Sequence, residues 1–298
     1  MMNDNLLDNK RIERILNNPD LISELKIEEI NEIISRANDI LKNEPNIVKL
    51  NHKKNDLYIG DIHGKFESIK AIQKLIQQNN YQYYGNIVFL GDYVDRGPRQ
   101  VDSINYVLLL KIQFPNKVFL LRGNHETVSM NKSYGFYNLI LREFDESIYN
   151  SYKKIYGSIP LATSTDTGVL AIHGGVPENI PTLRQLDRID RFTADVDFDD
   201  LIFMQLLWND PTNRINDFSS SLRGGPIKVF GKKPFQKFLA KNNIKLVIRA
   251  HEAFMDGYKF FFDNQLLSIF SAANYRGDND AKVAKITPKL KVSLISLV

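Results

Sequence analysis

The chain has 298 residues, 43% of them hydrophobic and 25% charged, with five histidines, one tryptophan, a net charge of +4 and no cysteine. A chain of this length buries roughly three-quarters of its unfolded surface and needs no covalent staple. The missing cysteine excludes disulfides, thiolate zinc sites, iron–sulfur clusters and a thiol nucleophile, so any polar chemistry rests on histidine, carboxylate, amide and arginine.

The first 55 residues read as helix. Ile12, Ile15 and Leu16, then Leu21, Ile22, Leu25, Ile30, Ile33, Ile34 and Ala37, recur at helical spacing. Pro19-Asp20 interrupts them, and Asp20 is placed to cap the second helix. From Asp56 the pattern becomes strand then helix, repeatedly. DLYIG is a strand followed by a helix over 66–77, NIVFL one followed by a helix over 101–112, and KVFLL one followed by a long helical stretch to Phe144. GVLAI and KLVIR are further apolar strands, and YKFFF, QLLSIF, AKVAKI and KVSLISLV make the last third β-rich. The alternation predicts an α/β protein with two packed mixed sheets, a β-sandwich flanked by helices. It predicts one compact domain, with a helical segment (1–55) lying on a catalytic unit (56–298).

Charge and hydropathy exclude several partners. Lysine pairs at 53–54, 153–154 and 232–233 are scattered, no block of five like charges occurs, and the acidic stretch 195–200 is broken by Val196 and Phe198. No nucleic-acid surface is expected. No apolar run approaches the ~18 residues of a membrane span, and the start of the chain lacks a basic, apolar leader. A cytoplasmic location is expected, or a nuclear one if the source is eukaryotic.

The chemistry sits just after the strands. DLYI ends in Gly60-Asp61-Ile62-His63-Gly64, IVFL in Gly91-Asp92-Tyr93-Val94-Asp95-Arg96-Gly97, VFLLR in Gly123-Asn124-His125-Glu126, LAI in His173-Gly174-Gly175, and LVIRA in His251. Ligands of open α/β sheets bind beyond the carboxyl ends of the strands, so five strands deliver Asp, His, Asn and Arg to one rim. Carboxylate, imidazole and amide oxygen together suit divalent manganese, iron or zinc. The donors outnumber what one open catalytic ion uses and fit two ions about 3.5–4 Å apart.

GDIHG, GDYVDRG, GNHE, HGG and RAH, in this order, resemble the metallophosphoesterase superfamily and, within it, the PPP serine/threonine protein phosphatases. YGFY, LLWNDP and SAANYRG extend the likeness, which covers about 56–277. The resemblance implies that Asp61 and His63 hold one metal, that Asp92 bridges, and that Asn124, His173 and His251 hold the second. It implies in-line attack on phosphorus by a metal-bridging water or hydroxide, with no phosphoenzyme. His125 would be the general acid and Asp95 its orienting carboxylate. Arg96 would clamp the phosphate, with Asn124 and Tyr275 also contacting it. The second clamp falls on Arg223 in LRGGPIKVFG, where the spacing to Phe230-Gly231 is one residue longer than usual, with Arg249 as the alternative. Arg276 stands where many members carry cysteine, so loop-dependent preferences do not transfer.

Trp208 and Phe260–Phe262 read as core, Glu126 as a brace for the His125 loop, and His52 as an exposed residue among polar neighbours. Three functions compete: a phosphatase acting on phosphoserine and phosphothreonine proteins, a hydrolase of dinucleoside polyphosphates, and a non-catalytic binding protein. Glu126 and Asp95 disfavour the second, and the complete ligand set disfavours the third. Regulatory subunits have no sequence signature.

Overall fold

The computed structural model describes residues 6–79, 81–196 and 200–297; the middle of the acidic stretch (197–199) lies outside them. The chain opens with helix α1 (Asn9–Asn17), a 3-10 turn (Pro19–Glu24) and α2 (Ile27–Leu41). Strands β1 (Ile47–Leu50) and β2 (Asn55–Ile59) lead through α3 (Phe66–Gln78), β3 (Tyr84–Phe89) and α4 (Gln100–Gln113) to β4 (Val118–Leu120). Three helices follow, α5 (Val128–Tyr134), α6 (Phe136–Glu143) and α7 (Glu146–Ser158), then β5 (Ala162–Thr165) and β6 (Val169–Ile172). Beyond α8 (Leu183–Leu186) and α9 (Leu201–Trp208) come β7 (Asp210–Pro211), β8 (Phe218–Ser220), β9 (Lys228–Phe230), α10 (Lys232–Asn242) and β10 (Leu246–Arg249). The chain closes with β11 (Tyr258–Phe261), β12 (Leu266–Ile269), β13 (Lys282–Ile286) and β14 (Val292–Ser296).

Two mixed sheets stack face to face as predicted. One has the order β1-β5-β6-β10-β12-β11, the other β14-β13-β2-β3-β4. Alternation along each strand sorts the side chains. Tyr58, Val88 and Leu90 meet Val169, Ala171, Leu246 and Ile248 between the sheets. Leu57, Ile59, Ile87 and Phe89 face the opposite way, into a core shared with α1–α7. Leu170, Ile172 and Val247 face outward to α9 and α10. The result is four layers, helix–sheet–sheet–helix. A small third sheet, β7-β9-β8, was not anticipated.

The N-terminal helices bury Ile12, Ile15, Ile30, Ile33, Ile34 and Ala37, and α2 lies across α4 and α7. Truncating a fully enclosed isoleucine such as Ile33 costs about 2–5 kcal/mol. The helical reading stops at Leu41, because β1 pairs in parallel with β5 and belongs to the six-stranded sheet. Asp20 does not cap α2. That helix starts at Ile27, where Glu29 Oε2 accepts the Lys26 N–H, and Asp20 instead pairs with Lys70 and Arg99. The long helix expected after Asn124 is two, separated at Gly135, whose φ of 115° is open to glycine. His52 is buried, not exposed: its Nδ1 meets Thr167 Oγ1 at 2.7 Å and its Nε2 meets the Ile286 carbonyl at 3.1 Å. Among the described residues, no helix is long and apolar enough to cross a membrane.

Candidate active site

The parallel strands β2, β3 and β4 of one sheet and β6 and β10 of the other end at the same rim. Each then turns sharply. His63, Asp92, Asp95, Arg96 and His251 all adopt left-handed backbone, with φ from 47° to 74°. Non-glycine residues avoid this region, and such strain gathers at functional sites. Gly123 lies so close to Asp92 that a Cβ would collide with its carboxylate. Glu126 holds the same turns from beneath, accepting the N–H groups of Asp92 (2.8 Å), Tyr93 (2.9 Å) and Gly123 (2.9 Å).

Asp92 stands at the centre. His63 donates its Nδ1–H to the Val94 carbonyl at 2.9 Å, and His173 donates its own to Leu90 at 2.8 Å. These bonds fix both tautomers, leaving lone pairs on the Nε2 atoms. His63 Nε2 lies 3.5 Å from Asp92 Oδ2 and 3.7 Å from Asp61 Oδ2. His173 Nε2 lies 3.4 Å from Asp92 Oδ1 and 2.9 Å from Asn124 Oδ1. Asp61 Oδ1 accepts the His251 N–H at 3.0 Å, whereas Asp61 Oδ2 and His251 Nε2 are buried with no hydrogen-bond partner among the described residues. Two groups of donor atoms, His63–Asp92–His125 and Asp92–His173–His251, share the Asp92 carboxylate.

Lone pairs converging in a buried site repel one another unless a cation lies among them. Burial pushes the Asp61 carboxyl up to about 7. Burial, then the charges of Asp61 and Glu126, raises Asp92. Burial lowers His63, His173 and His251. A divalent cation inverts each of these preferences. The orphaned Asp61 and His251 atoms, the fixed tautomers and the oxygen–nitrogen donor set therefore fit metal ions.

His125 differs from the other three. Its Nδ1 is bonded to Asp95 Oδ2 at 2.8 Å, so only Nε2 is left to face the cleft it lines. Asp95 Oδ1 accepts the Phe136 N–H at 2.9 Å, and Gln100 Oε1 takes the Asp95 N–H at 2.9 Å. Burial pushes the Asp95 carboxyl up to about 7, while burial and then the charges of Arg96 and Arg223 push the His125 imidazole down to about 3.

The cleft above these groups holds about 170 Å³, lined by arginines and aromatic rings. Arg96 is exposed there and makes no ion pair among the described residues. Its guanidinium lies 4.1 Å from the centre of the Tyr134 ring and 5.6 Å from that of Tyr275. Tyr275 in turn stacks on His63 at 5.0 Å. Arg223 also lines the cleft, its Nε on Asp210 Oδ2 at 2.7 Å. Arg249 is fully buried and spends its donors on Gly174, Asn209, Asp210, Glu252 and Ser268. Of the two arginines left open by the sequence, only Arg223 lines the cleft.

Sequence reasoning missed Asp210, which binds both arginines, one on each oxygen; its signal was the LLWNDP segment. It also missed Tyr134. Trp208, read as core, is a half-buried wall of the cleft, edge-on to His251 at 5.5 Å.

A family model for calcineurin-like phosphoesterases matches residues 57–255. The chain also superposes on a protein serine/threonine phosphatase from Saccharomyces cerevisiae with similarity to human phosphatase PP5. The two are 30% identical over 97% of this chain and 96% of that one, with a TM-score of 0.85. A cold-active protein-tyrosine phosphatase of a psychrophilic Shewanella species shares the fold at 15% identity, 87% and 84% coverage and a TM-score of 0.63. The chain belongs to the calcineurin-like phosphoesterases. It is a phosphatase, an enzyme that hydrolyses phosphoesters, and its likeness to the PPP type runs the length of the chain.

Proposed function

We propose that this phosphatase hydrolyses phosphoserine and phosphothreonine in proteins. The observation that carries the reading is the His125–Asp95 pair, 2.8 Å apart, at the edge of a six-residue donor cluster and facing a cleft lined by Arg96, which makes no ion pair among the described residues. An alkoxide is a poor leaving group, and a positioned acid is what its departure requires. The similarity to the yeast serine/threonine phosphatase supports the same substrate class.

Asp61, His63, Asp92, Asn124, His173 and His251 would hold two divalent ions, manganese in vitro and iron or zinc as alternatives. When bound, such ions supply Lewis acidity at the phosphoryl oxygens and a water of lowered pKa. The remaining work belongs to side chains of this chain. Arg96 grips the phosphate through two parallel N–H donors, a geometry lysine lacks. Arg223, held by Asp210, closes on it from the other side, with Asn124 and Tyr275 completing the contacts. Water adds to phosphorus in line with the scissile P–O bond. The leaving serine or threonine oxygen takes a proton from His125 Nε2. Asp95 keeps the Nδ1–H in place throughout. Burial, and then the charges of Arg96 and Arg223, hold His125 neutral; the phosphate dianion offsets the arginine charges and so favours the protonated imidazole.

Manganese-supported phosphate release should be strongest on a phosphoserine peptide compared with a phosphotyrosine peptide and diadenosine tetraphosphate. A preference for the nucleotide would replace this reading with that of a dinucleoside-polyphosphate hydrolase.

A further inference from the structure

Helix α5 passes behind the His125–Asp95 pair and presents one wholly buried polar side chain, Asn131. Its amide nitrogen donates to Asp95 Oδ2 at 3.1 Å and to the backbone oxygen of His125 at 2.8 Å. Its amide oxygen accepts from the Tyr149 hydroxyl of α7 at 3.3 Å. A carbonyl and a carboxylate can only accept, so these partners fix which way the amide faces. Burying an amide costs free energy unless its bonds are made, and here both ends are engaged.

We propose that Asn131 is a positioning residue for proton delivery by His125, tying the backbone that carries the imidazole to the carboxylate that orients it. The inference rests on reading His125 as the general acid. Asp95 Oδ2 receives two donors, the His125 Nδ1–H and the Asn131 amide, while Asp95 Oδ1 receives the Phe136 N–H. A carboxylate held on both oxygens cannot turn about its Cβ–Cγ bond without breaking one of these bonds. The imidazole plane is held with it, and Nε2 keeps its aim into the cleft. Asn131 does this as a neutral donor, adding no charge beside Arg96. Tyr149 holds the amide from behind and completes a chain from α7 to the acid.

Leaving-group dependence separates proton delivery from folding. p-Nitrophenolate departs without a proton, whereas a serine alkoxide needs one. In Asn131→Leu, kcat on a phosphoserine peptide should fall about 10- to 100-fold, the usual effect of losing an orienting partner. On p-nitrophenyl phosphate the fall should be several times smaller, with KM and metal content retained. Tyr149→Phe removes only the supporting hydroxyl and serves if Asn131→Leu does not fold; a weaker loss with the same selectivity is expected. His125→Ala, in the same assays, should show the largest selective loss. If His125→Ala is selective but the folded Asn131 variant (or, failing it, Tyr149→Phe) loses activity equally on both substrates or not at all, the positioning role is wrong. If His125→Ala itself shows no selectivity, the acid assignment beneath it is wrong.

Discussion

Two of the buried histidine–aspartate pairs occupy opposite ends of the sandwich. His125 and Asp95 lie at the carboxyl ends of the strands. His52 and Asp56 lie at the other end, 3.6 Å apart, where the loop before β2 meets the β5–β6 turn. The residue types are the same, and the difference is what each ring nitrogen touches. Both nitrogens of His52 are spoken for, by Thr167 of one sheet's turn and Ile286 of the other sheet. His125 commits one nitrogen to Asp95 and lines the cleft with the other. A histidine bonded at both ring nitrogens joins the two sheets. A half-satisfied pair at a cleft is free to exchange a proton.

The comparison can be broken from either end. The largest effect should come from the metal cluster: exhaustive chelation should abolish phosphate release and manganese restore it, while the melt of the His52 end, followed by hydrogen exchange, stays unchanged. Next, His125→Ala should lower kcat on phosphoserine peptide about 10²- to 10⁴-fold with its melting temperature retained. His52→Leu should do the reverse. It should cost about 2 kcal/mol in urea unfolding, since Thr167 and the Ile286 carbonyl lose a buried partner, with kcat/KM near wild type. Arg96→Lys should weaken phosphate capture about tenfold in kcat/KM by replacing a bidentate grip with a point charge.

The smallest effect is a pH dependence. Burial pushes the Asp56 carboxyl up to about 6, from 3.8 in the open chain. A carboxyl raised on folding binds its proton more tightly in the native state, so its contribution to stability falls as pH rises from about 4 through 6. Asp56→Asn cannot ionise. It should therefore gain on wild type as pH rises from about 4 through 6 and lose that advantage by pH 4, in parallel urea titrations. A constant difference across pH would remove Asp56 as the titrating group.

Much of this was legible along the chain. Apolar runs of four to six residues gave strands close to their observed positions, and the glycine-flanked polar clusters behind them gave the cleft. The misreadings have one cause. IVKL at 47–50 follows a helix and resembles its continuation, and only its pairing with β5, more than 100 residues away, makes it a strand. His52 sits among Asn51, Lys53 and Lys54, and its burial depends on Ile286, 234 residues on. Trp208 is apolar enough for a core, but its place beside His251 puts it at the cleft wall.

The sequence by itself determined which side chains reach the rim, because strand, turn and residue type are local properties of a few consecutive positions. The tertiary structure alone decided how those groups are employed. It buried Arg249 under five acceptor residues and left Arg223 at the cleft, though both bind Asp210. It brought Asn131 to Asp95 across 36 positions. A side chain's chemistry follows from its residue type, but its availability depends on which hydrogen bonds packing has already made.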